Sequence, residues 1–473
     1  MVFYHQRRIV TMKIFKSLII ACSLVTTASS YAGYQLPKYE KYQMDNGLNV
    51  YLMEQKEVPL VDVKVVVKAG ALTDGEQAGL NYITAANLSL GTKKLTKKEL
   101  DESLDFIGAN VYSTANVEFS TVSASFAKKD SEQVLNTLGD IVLKPRFDKE
   151  EFGKFKKRHL LSLEQAKESP KSVINNYFNQ LIYKGNGYNA IVRGDRNSVD
   201  ALTIKQLKAH YDKWYQPKNA AVVVVGDFES KDMKRKLNAL FAGWKNTETA
   251  KQKSVVAAKA AKQANVLLVD KADASESTFL IGGKGIAQSN PDRVGISVIN
   301  TILGGRFTSW LNDELRVNAG LTYGARSRFS SFSNDGSFAI STFTRTETTV
   351  EAIDLALETY KRLWKKGIDE ATLASAKAYV KGQFPPKFET SSDLASLLAN
   401  MFGYQFDENY INTFEAQVDS LTAEKASQLV KKYFPKDNLQ FVVVGKSSEI
   451  KEKLAKYGEI SEVSIKDVGF NTK

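Results

Sequence analysis

The sequence predicts an α+β fold of two homologous domains, each a mainly antiparallel sheet with helices packed on one face. Three observations predict it. Val199-Asp200-Ala201-Leu202-Thr203 recurs as Val418-Asp419-Ser420-Leu421-Thr422, 219 residues further on. Each copy runs through an amphipathic helical stretch to an aromatic-Pro turn, Tyr215-Gln216-Pro217 and Tyr433-Phe434-Pro435, and then to an apolar run ending in glycine, Val222 to Gly226 and Phe441 to Gly445. Such short runs behind a turn read as buried strands. Finally, each half opens on β-rich segments and continues into helices. A period this long marks a duplicated domain, because solenoid repeats recur every 20–50 residues or so.

The elements follow in order. Leu48 to Glu54 and Val61 to Val67 read as strands, the second with Asp62 and Lys64 alternating against valines. Thr96-Lys97-Lys98-Glu99 is a capping box that opens a helix, and Gly108 closes it. Val111 to Phe126 alternates as a strand pair does, and Lys205 to Trp214 is amphipathic. In the second half, Val266 to Val269 and Thr278 to Gly282 are strands. Val350 to Trp364 and Ala371 to Val380 carry apolar residues three and four apart, the helical spacing. Residues 246–264, rich in Lys, Ala and Gln without a large apolar cluster, read as an exposed linker between domains at 33–245 and 265–473.

The first 32 residues read as a secretion signal. Met12-Lys13-Ile14-Phe15-Lys16 is a basic start, Ser17 to Val25 an apolar segment, and Ser30-Tyr31-Ala32 a small-residue cleavage site, with residues 1–11 an upstream start. The expected address is the periplasm. Ile19-Ile20-Ala21-Cys22 offers a second reading, lipoprotein anchoring at Cys22. Cys22 is the only cysteine, so the exported chain has no disulfide and relies on core burial. Four of the 65 Lys and Arg lie in the signal segment, leaving 61 against 53 acidic residues. That excess is spread along the chain, with no basic block interleaved with aromatics, and argues against a nucleic-acid partner.

The densest motif is Gly304-Gly305-Arg306-Phe307-Thr308-Ser309-Trp310-Leu311, continuing into Glu314-Leu315-Arg316 and Gly320-Leu321-Thr322-Tyr323-Gly324. It places Arg316 at the end of a helix and Tyr323 at the start of the strand that follows. A guanidinium and a phenol form a donor pair suited to a peptide carbonyl oxygen. Taken singly, each has a plain structural reading: a surface helix arginine and a tyrosine at a sheet edge.

This string resembles the Arg/Tyr motif in the C-terminal half of the insulinase-like (pitrilysin, M16) zinc peptidases. The resemblance extends along nearly the whole exported chain, including Asn186-Gly187-Tyr188, where many members read His-Pro-Tyr. Active members carry a His-x-x-Glu-His helix in the N-terminal half. Its frame is present here as Lys68-Ala69-Gly70-Ala71, Gly79-Leu80 and Gly91-Thr92. Within that frame Tyr82 and Ala86 stand at the two zinc-ligand positions and Ala85 at the general-base position. Two methyl groups and a phenol cannot replace two imidazoles and a carboxylate. Glu164 stands near the family's third ligand, and the three histidines, His5, His159 and His210, form no substitute set. No metal is therefore expected in this chain.

The resemblance implies a specific role. Some members of this length pair two chains, one carrying zinc and the other the Arg/Tyr pair. This chain resembles the second kind, a non-catalytic subunit inactive alone, with zinc expected in a homologous His-x-x-Glu-His partner. Arg316 and Tyr323 would then support the substrate oxyanion while the partner's zinc-bound water attacks an unfolded peptide. In the family, substrate adds as a strand along a sheet edge, which corresponds to Asn110 to Thr114 here. A catalytically inert scaffold or peptide-binding protein is the alternative. A self-sufficient peptidase is nearly excluded by the missing ligands.

Overall fold

The computed structural model describes residues 33–247 and 255–472; the signal segment read above, residues 248–254 and Lys473 lie outside the described residues. Two six-stranded sheets organise the chain. The first contains β1 (Glu40–Gln43), β2 (Asn49–Glu54), β3 (Leu60–Val67), β4 (Asn110–Ala115), β5 (Ser120–Ala127) and β6 (Ala220–Gly226). Its order is β1-β2-β6-β3-β5-β4, and only β2 and β6 pair in parallel. The second contains β7 (Asn265–Asp270), β8 (Glu276–Lys284), β9 (Arg326–Ser331), β10 (Gly336–Arg345), β11 (Gln440–Gly445) and β12 (Glu459–Ser464). Its order is β12-β7-β11-β8-β10-β9. The copies differ at one edge, where β12 runs parallel to β7 and β1 runs antiparallel to β2.

The apolar runs at β6 and β11 are continuous because both faces of each sheet are covered. Val222 and Val224 pack with the helices of the first half, whereas Ala221, Val223 and Val225 face a helix from the second half, Ser391–Tyr404. The converse holds across the molecule. Phe441 and Val443 join the second half's own helical core, while Val442 and Val444 pack under Pro170–Ile182, a helix of the first half. Each half thus lends one helix to the outer face of the other's sheet.

The linker region is not free along its whole length. Val255 and Ala258 pack against the buried Tyr183–Tyr188 pair, the Ala258 N–H donates to Asp335 Oδ2 at 2.6 Å, and Lys284 Nζ donates to the Ala258 carbonyl. A second junction lies beside it. Glu118 accepts hydrogen bonds from the Tyr188 hydroxyl at 3.0 Å and from the Ser333 N–H, and the Tyr188 ring stacks on Phe332 at 4.3 Å. Among the described residues no helix is long and apolar enough to cross a membrane.

Candidate functional site

The helix Leu80–Leu88, which carries the degenerate motif, is fixed from both ends and one side. Gly79 precedes it with φ +88°, and a Cβ there would come within 2.9 Å of Gly194, so only glycine permits this approach. The buried Asp74 carboxylate accepts the N–H groups of Gly79 at 2.9 Å and Asn81 at 2.7 Å, satisfying donors that the first helical turn leaves open. Burial outweighs those two bonds and pushes its pKa up to about 7. The Asn81 amide donates to the Ala69 carbonyl and Ser120 Oγ, both at 2.9 Å. That leaves Asn81 Oδ1 to accept from His210 Nε2 at 3.1 Å, which places the proton on Nε2. Burial, followed by the nearby Lys213 charge, lowers the His210 pKa to about 4.

Tyr82 and Ala86 lie one turn apart on the half-buried face of this helix, and Ala85 is 1 % exposed within the core. An aromatic stack lies beside Tyr82. Its ring packs on His159 at 5.3 Å, and His159 packs on Phe155 at 5.6 Å. His159 Nε2 donates to the Arg193 carbonyl at 2.8 Å, and burial holds its pKa below the ordinary range. The Arg193 guanidinium sits 5.9 Å from the Tyr82 ring. Glu164 is ion-paired with Arg196. A zinc site needs three free lone-pair donors and an open position. Here one candidate carboxylate is neutralised, the nearest imidazole is stacked and hydrogen-bonded, and the motif positions offer two methyls. Among the described residues no group of three or more His, Cys, Asp or Glu is arranged to hold a metal. The residues present do not fit zinc.

The Arg/Tyr string folds as two wide helical turns, Thr301–Gly305 and Asp313–Asn318, around the short helix Trp310–Asn312. In the second turn the Ala319 N–H reaches Glu314 O at 3.0 Å, a five-residue step, and the Leu321 N–H closes on Leu315 O at 2.8 Å. Gly304 passes so close to β9 that a Cβ would meet the Ser327 nitrogen at 2.2 Å. Leu311 and Leu315 are buried beneath, and Glu314 is ion-paired with Arg362 at 2.5 Å.

From this base Arg316 lays its guanidinium over the Phe307 ring at 4.5 Å and makes no ion pair among the described residues. Tyr323 lies three residues before β9 rather than at its first position. It is 82 % exposed, stacks on Phe343 at 6.3 Å, and its hydroxyl has no hydrogen-bond partner among the described residues. Its neighbour Thr322 is buried and accepts from Thr342 Oγ1 at 2.9 Å. Arg316 and Tyr323 therefore share one folded loop but rest on different rings, with no hydrogen bond between them. Lys171, from the first half, lies 3.3 Å above the Phe343 ring. Nothing in the sequence pattern signals Lys171, because its contact crosses halves. The Asp74–Asn81–His210 network, spread over more than a hundred positions, was equally silent. The strand β4 (Asn110–Ala115) is the outermost of its sheet, in keeping with the edge read over Asn110 to Thr114.

Comparison with known proteins agrees with this geometry. Residues 50–196 match the family model "Insulinase (Peptidase family M16)", and residues 201–380 match "Peptidase M16 inactive domain". The chain is 26% identical to the "Zinc protease PqqE" of Helicobacter pylori, over 86% of this chain and 93% of that one. It is 24% identical to the "Non-peptidase homolog YmxG" of the same organism, over 81% and 88%. Among solved structures, a peptidase M16 inactive domain from Pseudomonas fluorescens superposes with a TM-score of 0.81 at 24% identity, covering 86% of this chain and 98% of that one. A Helicobacter pylori protease superposes with 0.77 at 22% identity, covering 86% and 100%. Fold, duplicated halves and matched segments agree: the chain belongs to the insulinase-like peptidase family M16.

Proposed function

We propose that this protein is the non-catalytic subunit of an exported, heterodimeric M16-type peptidase, lending Arg316 and Tyr323 to a peptide carbonyl held by a zinc-bearing homologous partner. The observation that carries the reading is the exposed Tyr323 hydroxyl, without a hydrogen-bond partner among the described residues, on the same folded loop as the Arg316 guanidinium, which has no counter-ion among them. Tyr323 is exposed and Arg316 half-buried over the Phe307 ring, both on a loop anchored by the buried Leu311, Leu315 and Thr322. Donors fixed in place before the reaction stabilise developing oxyanion charge without reorganising. The rebuilt helix at Tyr82, Ala85 and Ala86 supports the same reading, because metal chemistry cannot be staged on it. That relatives of this chain include both a zinc protease and a non-peptidase homologue fits a family that divides labour between chains.

The test is reconstitution with a zinc-bearing M16 partner and a peptide substrate. Tyr323→Phe removes one hydroxyl, and Arg316→Lys keeps the charge but loses the planar fork. Each is expected to lower turnover by about tenfold to a thousandfold while the complex still forms by sedimentation. If both variants work at the wild-type rate, the pair is structural and the inert scaffold becomes the better reading.

A further inference from the structure

A cleft of about 670 Å3 opens where the two halves meet, lined by neither Arg316 nor Tyr323. One wall is the end of the first sheet, with Lys41 on β1, Lys68 just after β3 and Lys218 just before β6. The other wall comes from the second half, with Arg293 and a run of aromatic and amide side chains around residues 401–417. Four cations thus face a common space.

Two carboxylates share the lining, so it holds two more cations than anions, and Glu408 lies near enough to feel the Lys41 charge. Glu408 accepts the Tyr39 hydroxyl at 2.7 Å, and Asp407 accepts the N–H and side-chain amide of Asn409, both at 3.1 Å. Arg293 stacks on Tyr410 at 3.6 Å and donates to the Gln288 carbonyl at 3.1 Å, so it is fixed by packing and hydrogen bonding rather than by an acid. Lys68 is the telling group. Its ammonium is half-buried, lies 4.6 Å above the Phe402 ring, and has no carboxylate partner among the described residues. Burial alone holds its pKa below the usual lysine range. Its main chain is pinned to the Asn219 carbonyl at 2.8 Å. A cation withdrawn from water without a counter-charge is costly, and an anion bound beside Lys68 would offset that cost.

We propose that this cleft is a binding site for a compact multivalent oxyanion, the charged end of a phosphorylated or polycarboxylate small molecule, with Lys68 as its buried contact and Lys218 as its rim contact. The site is independent of the peptide-handling role proposed for Arg316 and Tyr323. The ammonium groups offer point charges to oxyanion oxygens, and the amides of the opposite wall supply neutral donors.

Calorimetric titration of the intact chain with inorganic pyrophosphate and, separately, citrate tests this. Saturable binding of at least one is expected, and the stronger of the two assigns phosphoryl or carboxyl chemistry. Lys68→Met, which keeps the stem over Phe402, should weaken that binding by about tenfold or more, and Lys218→Gln by a smaller factor. Lys98→Met, at an exposed helix position outside the cleft lining, is the control and should leave it unchanged. If Lys68→Met does not fold, Lys218→Gln alone is read against Lys98→Met. Absence of saturable binding to either anion, or equal affinities in the cleft variants and the control, overturns the proposal.

Discussion

At the scale of single residues, Asn81 is held by two groups whose pKa values are shifted in opposite directions. Asp74 has a native pKa of about 7 against about 3.9 unfolded, so the native state binds more protons between those values. Its contribution therefore lowers stability as pH rises from about 4 to about 7. His210 has a native pKa of about 4 against about 6.5 unfolded. There the unfolded state binds more protons, so its contribution raises stability as pH climbs through the same window. Urea midpoints measured across that window should show the two partly offsetting in the native sequence. Asp74→Asn should expose the histidine slope, with stability falling more steeply on acidification, and His210→Gln should expose the reverse. Identical pH profiles for all three proteins would contradict this account. Little of the network was legible in the sequence. The Thr96–Glu99 capping box was, and it forms with Glu99 Oε2 accepting the Thr96 N–H at 2.8 Å, because its chemistry is local. The bonds around Asn81 join residues whose proximity only the fold creates.

At the scale of elements, the helix Leu80–Leu88 sits in the family's frame without the family's ligands. Tyr82→His, Ala85→Glu and Ala86→His together restore two imidazole ligands and the general-base carboxylate, yet Glu164 stays committed to Arg196 and His159 to Arg193. The triple variant is expected to gain weak zinc affinity, read by competition with a chromophoric chelator. Adding Arg196→Ala, which frees Glu164, should strengthen it by a further tenfold or so, the scale on which groups supporting a metal site act. No difference between the triple and quadruple variants would show that Glu164 does not reach the metal. Strands were the best-read elements. The valine-rich runs at β3, β6 and β11 announced burial, and their boundaries fall within two residues of the pattern. The wide turns Thr301–Gly305 and Asp313–Asn318 were not read, because a five-residue hydrogen-bond step leaves the apolar spacing nearly that of an ordinary helix. The short β1 and β12 also escaped, since four to six mixed residues at a sheet edge carry little pattern.

At the scale of the molecule, the duplication was legible and the exchange of helices was not. Repeated motifs mark the two copies, but nothing in an apolar stripe says whose sheet it will cover. Leu398 is fully buried in the helix Ser391–Tyr404, which packs on β3 and β6 of the other half. Leu398→Ala should cost about 2–5 kcal/mol, as removal of a core leucine does. Because the helix belongs to one half and its contacts to the other, both should unfold together. Probes placed in each half should report one denaturation midpoint; two separated midpoints would refute the coupling. Expressed apart, residues 33–247 and 255–472 should each expose an apolar sheet face and aggregate, while co-expression should rescue both.

That interlock also constrains how the proposed peptide-handling role could work. Swinging the two sheets apart would strip Pro170–Ile182 from β8 and β11, and Ser391–Tyr404 from β3 and β6, wetting two cores at once. Such a motion costs as much as partial unfolding and cannot serve as a working gate. The chain behaves as one jaw, not as a pair of jaws. Under the function proposed above, the mouth that admits peptide therefore lies between this protein and its partner, with their interface as the hinge.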